Sequence, residues 1–179
     1  MSKPEVISTE TIYKGKIFDL FKVKIREGEA EYTREIVSHH GSAVIVPVFD
    51  DDTIALVKQY RHAARKYLME IPAGTLEENE SPEVGARREV EEEIGVKVGK
   101  IEKLAEFYVS PGFLTEKMHV FLATELQESE QNLDENEFLS IVKITFSQAF
   151  EMIRNGEIED AKTICGVILA GAKLGFIYN

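Results

Sequence analysis

The chain has 179 residues, enough for one domain with a substantial hydrophobic core and a small appendage. Its 44% hydrophobic content is typical of a globular protein. The sequence has no apolar run near the roughly 20 residues of a membrane span, and its N-terminus has no apolar core of a signal peptide. We therefore expect a cytoplasmic protein with no membrane partner. The net charge of −11 argues against nucleic acid as a partner, because nonspecific binding relies on Lys and Arg to neutralise phosphates.

The first 40 residues predict a small antiparallel sheet. Three segments rich in β-branched and aromatic residues are separated by turns that contain glycine. The segments are residues 11–13, 17–25 and 32–37. A sheet of three such strands buries little by itself, so we expect it to pack on another element or subunit. We therefore divide the chain into a sheet subdomain, residues 1–40, and a main domain, residues 41–179.

The main domain opens with a continuous apolar run at residues 43–48, which is typical of a strand buried on both faces. An acidic turn leads to a second strand at residues 54–60. Ser81 and Pro82 predict the start of a helix, and Gly95 predicts its end. We expect further strands at 101–109, 117–125 and 139–145, and helices at 147–155 and 161–174. This order predicts an α+β fold in which helices flank a mixed sheet.

Three glutamates of the first helix, Glu89, Glu92 and Glu93, are spaced three and four residues apart, which places them on one side of the helix. Like charges at this spacing repel each other, and a bound cation would relieve that repulsion. Hard oxygen ligands of this kind suit Mg²⁺ or Mn²⁺. A run of glutamates is more often a solvated helix face, but such a face requires neither flanking glycines nor the accompanying Glu80 and Arg88.

The residues around these glutamates reproduce the pattern Gly-x5-Glu-x7-Arg-Glu-U-x-Glu-Glu-x-Gly-U, where U is aliphatic. Every specified position is filled, by Gly74, Glu80, Arg88, Glu89, Val90, Glu92, Glu93, Gly95 and Val96. The chain therefore resembles the Nudix hydrolases, which cleave a nucleoside diphosphate linked to another group. The resemblance implies an α/β/α sandwich fold and a cofactor of two or three Mg²⁺ ions per site, with Mn²⁺ as the alternative metal.

The resemblance also implies roles for the residues of this box. Glu89, Glu92 and Glu93 are expected to bind metal together with the backbone carbonyl of Ala73. Three further residues of the box are expected to orient the loop and the helix: Gly74, Glu80 and Arg88. One or two of the glutamates could instead be simply exposed.

Outside the box the chain is similar to the ADP-ribose pyrophosphatases within this family. A proline 15 positions after Val96 is part of that similarity, as are segments around residues 34–37, 58–61 and 70–74. The residues expected to bind substrate are Phe18, Arg34, Arg61, Glu70, Pro111, Gly112 and Glu116. The plain alternatives are a Pro-Gly turn between strands and exposed arginines in salt bridges.

An acidic loop before the strand at 139–145 is expected to supply the general base. By the same resemblance Glu135 matches the catalytic glutamate, and Glu137 matches an additional metal ligand. Glu92 is the alternative base, and a flexible acidic loop without chemistry is the alternative reading of the whole segment. A loop at this place can swing a carboxylate over bound substrate.

These expectations combine into one hypothesis and two rivals. The leading hypothesis is Mg²⁺-dependent hydrolysis of ADP-ribose to AMP and ribose 5-phosphate, by a homodimer whose first strands cross the interface. The first rival keeps the chemistry and changes the substrate to another nucleoside diphosphate sugar such as GDP-mannose. The second rival is a nucleotide-sensing module without catalysis, but such a module tolerates the loss of box carboxylates, and none is lost here.

Overall fold

The computed structural model describes residues 3–176, which divide into two units. The first unit comprises residues 3–41 and 107–118, and the second comprises residues 42–106 and 119–176. The division expected from the sequence, residues 1–40 and 41–179, remains a prediction, and its first two and last three residues lie outside the described part of the chain.

The first unit is built on an antiparallel sheet with the strand order β1-β2-β3. Its strands are β1 (Glu5–Lys14), β2 (Asp19–Glu27) and β3 (Ala30–Ser38). The predicted N-terminal sheet is thus confirmed, although β1 starts well before the predicted residue 11. Every residue of β1 is exposed, and within the three strands only Val23 is buried. The sheet therefore has almost no hydrophobic core of its own.

The second unit contains the other elements, of which two long strands continue into residues of the first unit. The strands are β4 (Ser42–Pro47), β5 (Thr53–Arg61), β6 (Lys66–Glu70), β7 (Ala73–Thr75), β8 (Val96–Tyr108), β9 (Lys117–Glu128) and β10 (Leu139–Thr145). The helices are α1 (Pro82–Ile94), α2 (Phe146–Arg154) and α3 (Ala161–Leu174). The strands form two sheets, with the orders β10-β5-β6 and β7-β4-β9-β8.

Strand β4 is the centre of the second unit, and all six of its residues are buried. Ile45 belongs to the core cluster that includes Val90 of α1. The next residue, Val46, faces α3, where a Cβ built on Gly166 would approach Val46 to 3.2 Å and Ile71 to 2.5 Å. Successive side chains of a strand point to opposite faces, so β4 lies between the two helices as predicted for a doubly buried strand. Gly166 lets α3 pack this closely.

The helices follow the signals in their sequence. Helix α1 begins where the Ser81 hydroxyl accepts a hydrogen bond from the Val84 N–H, and it ends at Gly95 in the left-handed conformation with φ 66°. Helix α2 starts one residue before the predicted 147, because Thr145 and Gln148 form a reciprocal capping box. Helix α3 coincides with its prediction. Within residues 3–176 no helix is long and apolar enough to cross a bilayer.

Two strands, β6 and β7, were not predicted. Strand β7 has only three residues, which is too short to show a hydrophobic period. Strand β6 begins with the exposed Lys66 and Tyr67 and ends with the buried, charged Glu70. Its buried and exposed residues therefore do not follow the hydrophobic pattern from which a strand is predicted. Strand β6 pairs with β5 just before the box, and β7 contains Gly74, the first residue of the box, and pairs it with β4.

Candidate functional site

Glu93 is the most deeply buried carboxylate of α1. It is 3% exposed, it accepts a hydrogen bond from the backbone N–H of Ala73, and its Oε2 has no hydrogen-bond partner among residues 3–176. Burial, the charge of Glu137 and the charge of Glu89 raise the pKa of Glu93 to about 9. A buried oxygen without a partner is unfavourable in a folded protein, so this position calls for a ligand of positive charge.

Glu89 lies one turn before Glu93 and, like Glu93, is repelled by the charges of neighbouring carboxylates. Burial is the main cause that raises its pKa to about 7, and the charges of Glu92 and Glu137 add to the effect although Arg88 opposes it. Three carboxylates from α1 and one from the loop before β10 thus share a small volume. Because like charges in a low-dielectric environment disfavour ionisation, the cluster is stable in its charged form only with cations.

Arg88 supplies one of those cations. Its Nε and Nη2 donate to Glu80 at 2.9 and 3.1 Å, and its Nη1 lies 2.8 Å from Glu89 and 2.9 Å from Glu92. Glu80 in turn accepts from the backbone N–H of Glu77 at 3.1 Å. One guanidinium therefore ties the loop before the helix to two carboxylates of the helix, which is the geometry that an orienting role for Glu80 and Arg88 requires.

Gly74 allows this arrangement because a side chain at this position would occupy the space of the Glu89 carboxylate. A Cβ built on Gly74 would lie 1.9 Å from Glu89 Oε1 and 2.0 Å from its Cδ. The closest approach is to the carboxylate itself, so even alanine would displace Glu89. The first glycine of the box is therefore explained by contact, whereas Gly95 is explained by its backbone conformation.

The donor set fits a divalent cation, although its atoms do not converge in this structure. No group of three or more His, Cys, Asp or Glu side chains within residues 3–176 is arranged to hold a metal ion. The reason is visible in Glu89 and Glu92, whose oxygens are turned to Arg88. The carboxylates supply the hard oxygen ligands that Mg²⁺ and Mn²⁺ prefer, and the unpartnered oxygen of Glu93 lies among them.

The loop before β10 is fastened to the C-terminal end of α1. Ser129 N–H donates to Gly95 O at 2.8 Å, Gln131 Nε2 donates to Glu93 O at 2.6 Å, and Asn132 N–H donates to Glu92 O at 3.0 Å. These bonds satisfy carbonyls that the last turn of a helix leaves open. The loop is thereby anchored to the carboxylate-bearing part of α1.

The predicted base lies beyond this anchor. Glu135 is exposed and lies in a turn closed by the Glu137 N–H, which donates to Asp134 O at 2.9 Å. Glu137 is half-buried, accepts from Gln59 Nε2 of β5 at 3.4 Å, and lies near enough to raise the pKa values of Glu89 and Glu93. The structure therefore brings Glu137 to the box carboxylates and leaves Glu135 in solvent. Gln59 lies in the segment 58–61 that the sequence marked, but no role of its own was predicted for it.

Arg61 and Glu70 form a bidentate pair on β5 and β6. Arg61 Nε donates to Glu70 Oε1 and Nη2 donates to Oε2, both at 2.7 Å. Glu70 is 1% exposed and also accepts from the buried Lys162 of α3. Lys162 was missed because an isolated lysine at the start of a helix carries no signal in the sequence. The geometry gives Glu70 the role of holding Arg61, whose side chain is 42% exposed.

In the first unit, Arg34 and the segment after β8 line one cavity of about 410 Å³. The guanidinium of Arg34 lies 4.4 Å from the centre of the Tyr32 ring. The segment is held on β3, since Val37 N–H donates to Phe113 O at 2.7 Å and Thr115 N–H donates to Val37 O at 3.0 Å. The other lining residues are Ile36, Tyr108, Pro111, Gly112, Phe113, Leu114 and Thr115. Pro111 and Gly112 thus line the same cavity as Arg34, and their role in binding substrate stays a prediction.

Phe18 and Glu116, the other predicted substrate residues, lie elsewhere in the first unit. Phe18 is 43% exposed and packs on Tyr13 across the β1–β2 turn, with ring centres 5.7 Å apart. Glu116 Oε1 lies 3.9 Å from His39 Nδ1, and its carbonyl accepts from the Val109 N–H at 3.2 Å. Neither residue lines the cavity with Arg34.

The profile of the NUDIX domain matches residues 39–166, which is well over half of the chain. This protein belongs to the Nudix family. A solved structure described as an ADP compounds hydrolase has the same fold, with a TM-score of 0.86 over 99% of this chain and 98% of that chain. Its sequence identity of 20% limits this likeness to the fold, and it confirms the predicted α+β Nudix architecture.

Three relatives of this Nudix protein are similar over most of their length. The ADP-ribose pyrophosphatase of Bacillus subtilis (strain 168) is 42% identical, over 89% of this chain and 88% of the relative. The methanol dehydrogenase activator of Bacillus methanolicus is 37% identical, over 91% and 90%. The GDP-mannose pyrophosphatase of Escherichia coli O1:K1 / APEC is 36% identical, over 78% of each.

The buried Glu70 gives this Nudix protein a pH-dependent stability. Burial alone would raise the pKa of Glu70, but Arg61 and Lys162 outweigh it and hold the pKa below the usual 4.5. The charged carboxylate therefore contributes its full stabilisation above pH 4.5 and loses it as the pH falls through the lowered pKa. We expect Glu70→Gln to lower the free energy of unfolding by about 3 kcal/mol near neutral pH, because the buried Lys162 and the partly exposed Arg61 lose a shared counter-charge.

Urea unfolding from neutral pH into the acid range measures this effect. The gap between the wild type and Glu70→Gln should shrink below pH 4.5, and a gap that is independent of pH would contradict the assignment. The matched control is Glu159→Gln, which removes the partner of Lys66 in an ion pair that is 48% exposed on both sides. Its effect should stay within about 0.5 kcal/mol at every pH.

Proposed function

We propose that this protein hydrolyses the diphosphate of ADP-ribose to AMP and ribose 5-phosphate with the help of Mg²⁺. The observation that carries the proposal is the crowding of Glu89, Glu93 and Glu137, whose charged forms require cations. The 42% identity to an ADP-ribose pyrophosphatase supports this choice of substrate.

The groups that would hold the ions are the carboxylates of Glu89, Glu92, Glu93 and Glu137 and the backbone carbonyl of Ala73. Mg²⁺ is the proposed metal, with Mn²⁺ as the alternative and two or three ions per site. When bound, such ions neutralise the diphosphate oxygens and stabilise charge on the leaving oxygen. Arg88 would neutralise part of the charge on the same carboxylates, since it forms ion pairs with Glu89 and Glu92.

The general base in this proposal is Glu135. Its carboxylate is exposed in the turn, so it is accessible to the attacking water. Glu92, the alternative base, accepts from Arg88 at 2.9 Å, and protonation there would weaken an ion pair. Glu137 lies with the box carboxylates, which supports its role as a metal ligand.

Arg61 is the proposed contact for the substrate phosphates or ribose. Glu70 is proposed to hold the guanidinium of Arg61 in position for that contact. Two nitrogens of the guanidinium are bound to Glu70, and Nη1 has no protein partner among residues 3–176. A planar guanidinium held on one edge presents its other edge to an anion. In the first unit, the cavity beside Arg34 is the proposed subsite for the adenine base, with Pro111 and Gly112 in its wall.

A second candidate substrate is GDP-mannose, because a GDP-mannose pyrophosphatase is 36% identical to this chain. The box chemistry would be the same in both cases. The difference would lie in residues that contact the base and the sugar, such as Arg34 and Arg61. A sensing module without catalysis is less well supported, since every carboxylate of the box is present.

Product identification tests the function directly. The protein is incubated with ADP-ribose and Mg²⁺, with GDP-mannose in parallel, and the nucleotides are separated by chromatography. We expect AMP from ADP-ribose at a much higher rate than GMP from GDP-mannose, and no product after EDTA until Mg²⁺ is restored. Faster release of GMP would support the second candidate, and no product from either compound would contradict both.

Substitutions in the loop before β10 test the assignment of the base. Glu135→Gln should lower kcat by about 10²- to 10⁴-fold with little change in KM, because the amide cannot accept the proton. Glu137→Gln should instead raise the Mg²⁺ concentration needed for activity. Steady-state rates over a Mg²⁺ series separate the two effects, with Asp134→Asn in the same turn as the control that should stay near wild type. Near-normal kcat in Glu135→Gln would remove Glu135 from its role.

We also propose that the protein is a homodimer formed through the first unit. All ten residues of β1 are exposed, and four of them are large and apolar: Val6, Ile7, Ile12 and Tyr13. An exposed apolar edge strand of this length is unfavourable in water and is normally covered. A second copy of the same sheet offers a matching surface, in agreement with the expected crossing of the first strands.

Sedimentation equilibrium tests the dimer. The chain has a mass of 20.2 kDa, so a dimer should have about 40 kDa. Ile12 is 51% exposed, and Ile12→Glu should shift the protein toward the monomer because a charge would be buried in the interface. Leu174→Glu, at a similarly exposed position on α3, should leave the mass unchanged. A wild-type mass near 20 kDa at all concentrations would contradict the proposal.

A further inference from the structure

Lys162 is a buried lysine that the proposed chemistry does not use. It lies in the first turn of α3, it is 9% exposed, and its Nζ donates to Glu70 Oε2 and lies 3.1 Å from Asp160 Oδ2. A charged group at this depth is retained only when it is well paired, and here it is paired on both sides. Lys162 therefore belongs to a buried network of ion pairs and not to an isolated surface salt bridge.

The network connects Lys162 to Arg61 through one carboxylate. Both oxygens of Glu70 are engaged by Arg61, and Oε2 is also engaged by Lys162. Charges thus alternate from Arg61 through Glu70 and Lys162 to Asp160. Arg61 lies at the accessible end of this series, since its side chain is 42% exposed while those of the other three are 17% exposed or less.

A neighbouring contact fixes the distance between α3 and β6. The Thr163 hydroxyl accepts from the Ile71 N–H at 2.9 Å and donates to Asp160 Oδ2 at 2.6 Å. Thr163 is fully buried, and Ile71 directly follows Glu70. The ammonium of Lys162 is therefore held at a set position relative to the carboxylate of Glu70.

We propose that Lys162 is a positioning residue that acts on the substrate through Glu70 and Arg61. It fixes the orientation of the Glu70 carboxylate, which in turn holds Arg61 by two nitrogens and leaves Nη1 for the diphosphate. This inference rests on the proposed role of Arg61 in binding the substrate.

The competing explanation is that Lys162 only stabilises the contact between α3 and β6. A structural role of that kind would affect stability but would not depend on the presence of the Arg61 guanidinium. The positioning role requires Arg61, so the effect of changing Lys162 should vanish when Arg61 is absent. A double-mutant cycle separates the two explanations.

The cycle compares Lys162→Met, Arg61→Ala and the double variant, with kcat and KM measured on ADP-ribose at saturating Mg²⁺. We expect Lys162→Met to raise KM about tenfold with kcat changed less than about threefold, because a binding contact is weakened rather than the chemistry. In the Arg61→Ala background the same change should alter KM less than about twofold. An equal effect in both backgrounds would overturn the proposal.

Two further variants keep the test decisive. Lys173→Met lies on the same helix and breaks an ion pair with Glu102 that is 50% and 44% exposed, so its KM should equal that of the wild type. If Lys162→Met does not fold, the double variant Lys162→Met with Glu70→Gln removes the opposite charges together and should still show the raised KM. An unchanged KM in that variant would also overturn the proposal.

A readout without substrate distinguishes a failure of this inference from a failure of the proposed function. The Nε–H signal of Arg61 in a ¹⁵N NMR spectrum is identified by its loss in Arg61→Ala. We expect this proton to exchange with water about tenfold faster or more in Lys162→Met, because the Glu70 carboxylate is no longer fixed. Unchanged exchange would overturn the positioning role, whether or not the wild type hydrolyses ADP-ribose.

Discussion

Repulsion between carboxylates on one side of α1 is the constraint around which the second unit is organised. Glu89 and Glu93 are one turn apart and largely withdrawn from water, and the charge of Glu137 reaches both of them. With these carboxylates ionised, such a helix is stable only if cations surround it. The protein supplies one in Arg88, and the chemistry of the remaining oxygens calls for metal ions.

A second set of charges, separate from the box carboxylates, is balanced within the protein. Arg61, Glu70, Lys162 and Asp160 alternate in sign across two strands and a helix, and each buried member has an opposite charge beside it. The two sets differ in a way that matters for function. The charges of the second set balance one another without any ligand, whereas the first set leaves Glu93 Oε2 without a hydrogen-bond partner in residues 3–176.

The box was accessible from the sequence because its residues are close along the chain and follow helical spacing. The same holds for α1, whose capping residues Ser81 and Gly95 mark its ends, and for the apolar run of β4. The pairing of Glu70 with Lys162 was not accessible, because the two residues are 92 positions apart and nothing local marks them as partners. Strand β7 was missed because three residues show no period, and Gln59 because a glutamine on a strand reads as an ordinary polar residue.

The hydrogen bonds between residues 129–132 and the end of α1 limit how far Glu135 can reach. Between Asn132, bonded to α1, and Leu139, the start of β10, only six residues are free of both attachments. At no more than about 3.4 Å per residue, a group in the middle of such a segment can travel about 10 Å from its anchors. Glu135 occupies that middle, whereas Glu137 is two residues from β10 and bonded to Gln59. One short segment thus combines an exposed carboxylate far from both anchors with another that is hydrogen-bonded to β5.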